Sequence, residues 1–149
     1  MLSVTGDHDA RLRAVLEEAI KGSGRSKREV AQASGLHKDA LLRALTGQRP
    51  VTAQEAMNIL DAAGLHGRAA FMLAIMGHHD LGLEWGTSDV SLFFDALIAE
   101  FPRALSETLG EDIAEIKPRW GAGTAKMIAK SLAEHVAELS RRDAAFGLD

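Results

Sequence analysis

The sequence predicts an all-α fold, with one helical domain over residues 1–65 and a second over residues 66–149. Apolar residues recur at the three- and four-residue spacing of helices through most of the chain. A serine or threonine followed three residues later by glutamate marks helix starts, and glycines mark helix ends. No segment is left over that is convincing as a strand.

The N-terminal domain is predicted to hold four to five helices around one small core. Its last helix begins at a capping box formed by Thr52 and Glu55 and ends at Gly64. Pro50 separates this helix from the one before it, because proline cannot continue a helix. The first helix carries an apolar repeat before Gly22 that consists of Leu12, Val15, Leu16, Ala19 and Ile20.

A short helix is predicted between Lys27 and Gly35. Ser26 and Glu29 form a capping box, in which the serine oxygen accepts from a free backbone amide and the glutamate reaches back to the cap residue. Gly35 stands where a chain that leaves a helix needs a left-handed residue, so we expect the helix to end there.

A second short helix follows directly. It is predicted to begin near His37 and to run to about Thr46, with Leu41 and Ala44 facing inward and Gly47 as its stop. Two short helices joined by a tight turn form a helix-turn-helix, whose second helix inserts into the major groove of DNA.

These residues resemble the Cro and phage-repressor helix-turn-helix family, also called XRE-like, over roughly residues 8–65. The family pattern is a small polar cap, E-x-A, G-ϕ-S, and a helix that ends in a G-x-R-x-P-like loop. Here the pattern reads Ser26, Glu29, Ala31, Gly35-Leu36-His37 and Gly47-Gln48-Arg49-Pro50. The resemblance implies a DNA-binding domain.

The resemblance implies phosphate contacts from both ends of the helix pair. In this family the residue just inside the first of the two helices donates to phosphate, and that residue is Lys27 here, with Arg28 beside it. The loop after the second helix usually grips the DNA backbone, which implicates Thr46, Gln48 and Arg49. Such contacts position a protein on DNA without reading its sequence.

The resemblance also implies base contacts from the start and the first turn of the second helix. Lys38, Asp39 and Arg43 take these positions. Lysine and arginine donate to guanine O6 and N7, whereas aspartate accepts from a cytosine amino group. His37, also a candidate DNA contact, occupies the cap position where family members usually carry serine or threonine, so we expect a less firm helix start.

Two departures from the family pattern leave an alternative open. Leu42 and Leu45 replace residues that are usually polar and share a helical row with Lys38, so they would meet thymine methyl groups or dock on a protein partner. With a protein partner, the domain would be an interaction module that no longer reads bases. Asp39 precedes Arg43 by four residues, which favours an exposed ion pair between them.

The charge of the helix-turn-helix region favours DNA binding, whereas the net charge of the whole chain does not. Residues 21–49 hold seven basic and two acidic side chains, whereas the whole chain has a net charge of −4. A basic surface this small predicts salt-sensitive binding of modest strength per subunit, so a stable complex needs two copies. We therefore expect a sequence-specific transcriptional regulator, most simply a homodimeric repressor that occludes its operator.

The C-terminal domain is predicted to supply the dimer contact. An apolar run over residues 68–76 precedes a glycine-rich loop over residues 77–86. A long amphipathic helix then starts near Asp89 and bends at Pro102. The last helix runs from about Thr124 to Arg142, with Ile128, Leu132, Val136 and Leu139 facing inward.

These helices are expected to pack within the monomer and across a two-fold axis. Thirteen acidic side chains against eight basic ones follow Leu65, which disfavours contact with DNA. Regulation by a bound small molecule stays open as a further alternative, since no residue identifies such a ligand.

Two further patterns suggest metal or phosphate binding, and each has a simpler structural explanation. His78-His79-Asp80 is metal-like, but adjacent histidines on a helix point about 100° apart. Trp120-Gly-Ala-Gly-Thr124 lacks the spacing of a phosphate-binding loop, so we expect a turn with Thr124 as a helix cap. No cysteine is present, and no Ser/His/Asp set or carboxylate pair stands out. We expect no enzyme activity and no metal or cofactor.

No segment is predicted to enter a membrane. The longest apolar stretch, residues 69–76, is far below the roughly 20 residues that a bilayer span requires. No signal peptide is recognisable at the N-terminus. We therefore expect a soluble, cytoplasmic protein.

Overall fold

The computed structural model describes residues 4–147, and all regular secondary structure in that range is helical. The predicted all-α fold is confirmed. The α-helices are α1 (Val4–Ser23), α2 (Lys27–Ser34), α3 (Lys38–Leu45), α4 (Ala53–Ala62), α5 (Gly67–Ile75), α6 (His79–Glu84), α7 (Asp89–Leu109) and α8 (Gly121–Ala145). Two 3₁₀ helices, Gly110–Glu115 and Pro118–Trp120, separate α7 from α8.

The chain forms two compact units, Met1–Phe101 and Pro102–Asp149. The first unit therefore extends well beyond residue 65, where the sequence analysis placed the boundary. The physical reason is the burial of α5, whose Ala70 and Ala74 belong to the same apolar core as residues of the first four helices. The division falls within α7.

One apolar core holds the first unit together. Its largest fully buried hydrophobic side chains come from four different helices and are Leu16, Val30, Leu41, Ile59 and Leu60. The inward face predicted for α3, with Leu41 and Ala44, is thus confirmed, and the apolar repeat of α1 is buried from Val15 to Ile20. Because α3 contributes buried residues along its inner face, its orientation on the other helices is fixed by packing.

Both predicted capping boxes are present. Ser26 Oγ accepts from Glu29 N at 3.2 Å, and the Glu29 carboxylate accepts from Ser26 N at 2.7 Å. These hydrogen bonds lower the pKa of Glu29. Thr52 and Glu55 make the equivalent pair, each at 3.1 Å. The starts of α2 and α4 are therefore set by their own sequences.

The prediction of a loop over residues 77–86 is wrong, since α6 lies within it. Gly82 of α6 is buried, and a Cβ at this position would come within 3.2 Å of the Ala70 carbonyl oxygen and 3.6 Å of Leu73 Cβ. Glycine here allows α6 to pack closely on α5.

Within the second unit, α8 does not bury the apolar face that the sequence predicts to lie inward. Ile128, Leu132, Val136 and Leu139 are 36%, 37%, 48% and 47% exposed. From Pro102 to Gly147 no described residue is buried. None of the helices in the described range is both long and apolar enough to cross a membrane.

Leu45→Ala is expected to lower the free energy of unfolding by about 2–5 kcal/mol, because it empties a core position. The Leu45 side chain is 6% exposed. Urea unfolding followed by circular dichroism measures the change. Met76→Ala is the control, since Met76 is 72% exposed and its truncation should stay within about 0.5 kcal/mol. Equal losses in both variants would contradict the place of Leu45 in the core.

Candidate nucleic-acid interface

The turn between α2 and α3 is closed by backbone hydrogen bonds and one histidine cap. Gly35 is left-handed, with a φ of 75°, and Leu36 N donates to Ala31 O at 2.9 Å. His37 Nδ1 accepts from Asp39 N at 3.3 Å, so histidine does cap α3. The half-buried Leu36 packs on the core. The first turn of α3 is therefore held in a defined position beside α2.

The outer face of α3 carries the residues predicted to read bases. Leu41, Ala44 and Leu45 are buried on the inner face. The exposed side chains are Lys38, at the first position of α3, and Asp39, Arg43 and Thr46 on the opposite side. A helix that buries one face and presents cations on the other can approach a polyanion without disturbing its core.

The apolar stripe predicted at Leu42 and Leu45 does not form a surface. Leu45 belongs to the core, and Leu42 is half-buried. At about 100° per residue, Leu45 turns to the same side of α3 as Leu41 and away from Asp39. The suggestion that the two leucines together dock on a protein partner is therefore wrong.

The side chain of Arg43 has no hydrogen-bond or ion-pair partner within the described part of the chain. The ion pair favoured by the spacing of Asp39 and Arg43 does not form, and the Asp39 carboxylate lies 3.9 Å from His37 Nδ1. Because Arg43 is exposed and makes no side-chain hydrogen bond there, its guanidinium group keeps all its donors for an external acceptor.

At the start of α2, the side chain of Lys27 makes an ion pair with another helix and that of Arg28 does not. Lys27 Nζ lies 3.2 Å from Glu17 Oε1 of α1, and both side chains are about two-fifths exposed. An ion pair this accessible contributes at most about 1 kcal/mol, so a phosphate can replace the carboxylate. Arg28 is exposed and has no such pair among the described residues. The structure thus leaves Arg28 more available than Lys27.

Arg49 holds the loop between α3 and α4. Its Nε donates to Ala40 O at 3.0 Å, and its Nη1 donates to Pro50 O at 3.2 Å and to Glu55 Oε2 at 3.1 Å. The side chain is only 22% exposed. These partners give Arg49 a positioning role for the loop that carries Gln48.

Gln48 and Thr46, the other two candidate phosphate contacts near this loop, differ in whether their side chains already make a hydrogen bond. Gln48 is exposed, and its backbone N–H donates to Arg43 O at 2.8 Å, which leaves the side-chain amide available. Thr46 is exposed as well, but its hydroxyl donates to Leu42 O at 2.9 Å. Since that hydroxyl oxygen faces a carbonyl in its own helix, Thr46 would have to rotate to donate to phosphate.

Sequence reasoning missed Arg13, which brings another cation to this loop. Its guanidinium group lies against Gly47, where an added Cβ would be 3.3 Å from Arg13 Cζ. Gly47 has a φ of 78°, so a side chain there would meet both strain and this arginine. The contact joins residues that are far apart in sequence, so no local sequence pattern predicts it.

The two remaining sequence patterns lie outside the helix-turn-helix. His78, His79 and Asp80 are exposed, and no group of three or more histidine, aspartate or glutamate side chains in residues 4–147 is arranged to hold a metal. Thr124 is not a cap, because α8 already begins at Gly121 and its N-cap residue, Trp120, makes no side-chain cap hydrogen bond.

Comparison with protein-family models, with curated proteins and with solved structures gives no match to this chain. Function therefore has to be inferred from the geometry of α2, α3 and the loop that follows them.

Glu55→Gln is expected to remove an acid-sensitive part of the stability. The Arg49 guanidinium and the Thr52 backbone N–H lower the pKa of Glu55 below 4.5 in the folded protein. Its stabilisation is therefore present above the unfolded pKa and is lost as the pH falls through the lowered folded value. At pH 7 the wild type should exceed the variant in free energy of unfolding by about 1–2 kcal/mol.

Urea titrations at pH 7 and in a series below pH 4.5 measure this difference, which should shrink as the pH falls. Glu100→Gln is the control, because Glu100 is exposed and makes no hydrogen bond or ion pair within the described residues. A difference between wild type and Glu55→Gln that stays constant with pH would contradict the role given to the Glu55 carboxylate.

Proposed function

We propose that the protein is a cytoplasmic, sequence-specific DNA-binding regulator that acts as a homodimer, most simply as a repressor. In this proposal α2 and α3 are a helix-turn-helix, and α3 enters the major groove. The observation that carries it is the outer face of α3, where Lys38 and Arg43 are exposed beside Asp39 while the inner face is buried.

Base reading is assigned to three side chains of α3. Arg43 and Lys38 donate to guanine O6 and N7, and Asp39 accepts from a cytosine amino group. The absence of an Asp39–Arg43 ion pair in the described chain supports this assignment, because neither group has to give up the other before it meets a base. His37 lies at the cap beside them and would meet the groove edge or a phosphate.

Phosphate contacts are assigned to the two ends of the motif. Arg28 and Lys27 occupy the first turn of α2, where the helix dipole also favours an anion. Gln48 and Arg13 stand at the loop after α3, which Arg49 keeps in place. These groups would position the protein on the duplex and make binding depend on salt.

The interaction-module alternative loses support because its apolar stripe is not a surface. With Leu45 in the core, only the half-buried Leu42 is left between Lys38 and Thr46. A single leucine among charged side chains suits contact with a thymine methyl group better than it suits a protein interface, whose centre is depleted of charge.

Fluorescence anisotropy with a random-sequence duplex across a salt series tests the proposal. Arg28→Ala should weaken binding and lower the slope of log affinity against log salt by about 1, because one phosphate contact is lost. On a duplex selected for tight binding, Arg43→Ala should cost about 1–3 kcal/mol and relax the preference for one base pair.

Arg103→Ala is the matched control, since it removes the same charge from an exposed position of α7 outside the motif. It should leave both the affinity and the salt slope unchanged. No saturable binding at low salt would refute the regulator proposal. Equal weakening by Arg103→Ala and Arg28→Ala would refute the assignment of α2 and α3 as the interface.

A further inference from the structure

We propose that α8 is the dimerisation surface and that it pairs with α8 of a second copy in antiparallel orientation, centred on Leu132. This inference takes up the homodimer of the proposed function and specifies the surface, the direction and the register of the pair. It concerns only the second unit and can be tested without DNA.

The first observation is an uncovered apolar line along α8. At about 100° per residue, five apolar side chains lie within about 40° of one line that runs along the helix through Leu132. They are Ala125, Ile128, Leu132, Val136 and Leu139. The four large ones are exposed. A helix that depends on packing of its apolar face for stability needs something to cover this line.

The charged residues of α8 that precede Asp143 lie off that line. Lys126, Lys130, Glu134 and Glu138 lie about 120° or more from Leu132, on the opposite side of the helix. A partner helix can therefore approach along the apolar line without burying any of these four charges, which would be costly.

The apolar line is complementary to itself when one copy runs antiparallel to the other. A two-fold axis through Leu132 places Ile128 opposite Val136 of the second copy and Ala125 opposite Leu139. Small side chains then face large ones, which fills a helix–helix interface evenly. A parallel pair in register would set Ala125 against its own copy, with a gap, and would crowd two Leu139 side chains together.

The charge of Asp143 favours the same direction. Asp143 lies about 20° from the line through Leu132, one turn beyond Leu139. In the antiparallel pair it comes level with Gly121 of the second copy, at the start of an α8 whose N-terminus has no side-chain cap. A carboxylate is favourable there. A parallel pair would place two Asp143 carboxylates together at two helix C-termini, which is unfavourable.

One edge of the pair offers a polar contact of its own. His135 Nδ1 is bonded to Ser131 O one turn earlier at 2.7 Å, which leaves Nε2 for another partner. In the antiparallel register, His135 lies within a turn of Ser131 of the second copy. The second α8, rather than an unrelated protein, is thus the occupant that the spacing, the side-chain sizes and the charges all fit.

Single cysteines test this arrangement directly, because the natural chain has none. Light scattering should give a mass of about twice 16.0 kDa. Under mild oxidation, Leu132→Cys should form a disulfide-linked dimer on its own. An equal mixture of Ala125→Cys and Leu139→Cys should cross-link far more than either variant alone. Lys130→Cys, on the opposite side of α8, is the control that should stay uncross-linked.

Three results would overturn the proposal. A mass of 16.0 kDa at every concentration would refute the dimer. Efficient cross-linking of Leu139→Cys alone would refute the antiparallel direction. A dimer in which Leu132→Cys and the mixture cross-link no more than Lys130→Cys would refute α8 as the surface.

The same measurements separate this proposal from the regulator proposal. A cross-linked dimer that shows no DNA binding by anisotropy leaves the α8 pair standing and refutes only the regulator. A monomer that still binds DNA refutes the α8 pair and the homodimer, and leaves the DNA interface of α2 and α3 standing.

Discussion

The packing of the inner face of α3 is the constraint on which the rest of the first unit depends. Leu41 and Ala44 are fully buried, and Leu45 joins them in the core with Leu16, Ile59 and residues of α2. Because those side chains can only lie inward, Asp39 and Arg43 can only lie outward, and Lys38 is exposed at the first position of the helix. The capping boxes and the left-handed Gly35 fix where the helices start and stop, and the core then fixes which side of α3 is offered to a partner.

Local chemistry explains what could be predicted from the sequence. A serine or threonine with a glutamate three residues later specifies a helix start within one turn, and Gly35 specifies a stop, so α2, α3 and α4 could be placed closely. The exposure of Arg43 follows from helical periodicity once α3 is placed, whereas that of Lys38, in the same row as the buried Leu45, does not. The absence of an Asp39–Arg43 ion pair does not follow either, because spacing permits such a pair without requiring it.

Contacts between distant residues explain what could not be predicted. Arg13 against Gly47, and Arg49 against Ala40 and Glu55, join positions that no sequence pattern links. The packing role of Gly82 is not visible in the sequence, because a glycine that permits close helix packing looks the same there as one that ends a helix. For α8, periodicity identified the apolar line correctly, but a period cannot say whether the chain itself or a second copy covers it.

The most direct test of the central claim is an amide NMR titration of the ¹⁵N-labelled protein with a short duplex chosen by selection from random sequences. The account predicts that chemical-shift changes concentrate in α2, α3 and the loop to Pro50, with the largest changes near Lys38 and Arg43, while amides of α8 stay unchanged. Saturating shifts that centre outside residues 25–50, or no shifts at all, would contradict the claim that α3 reads DNA.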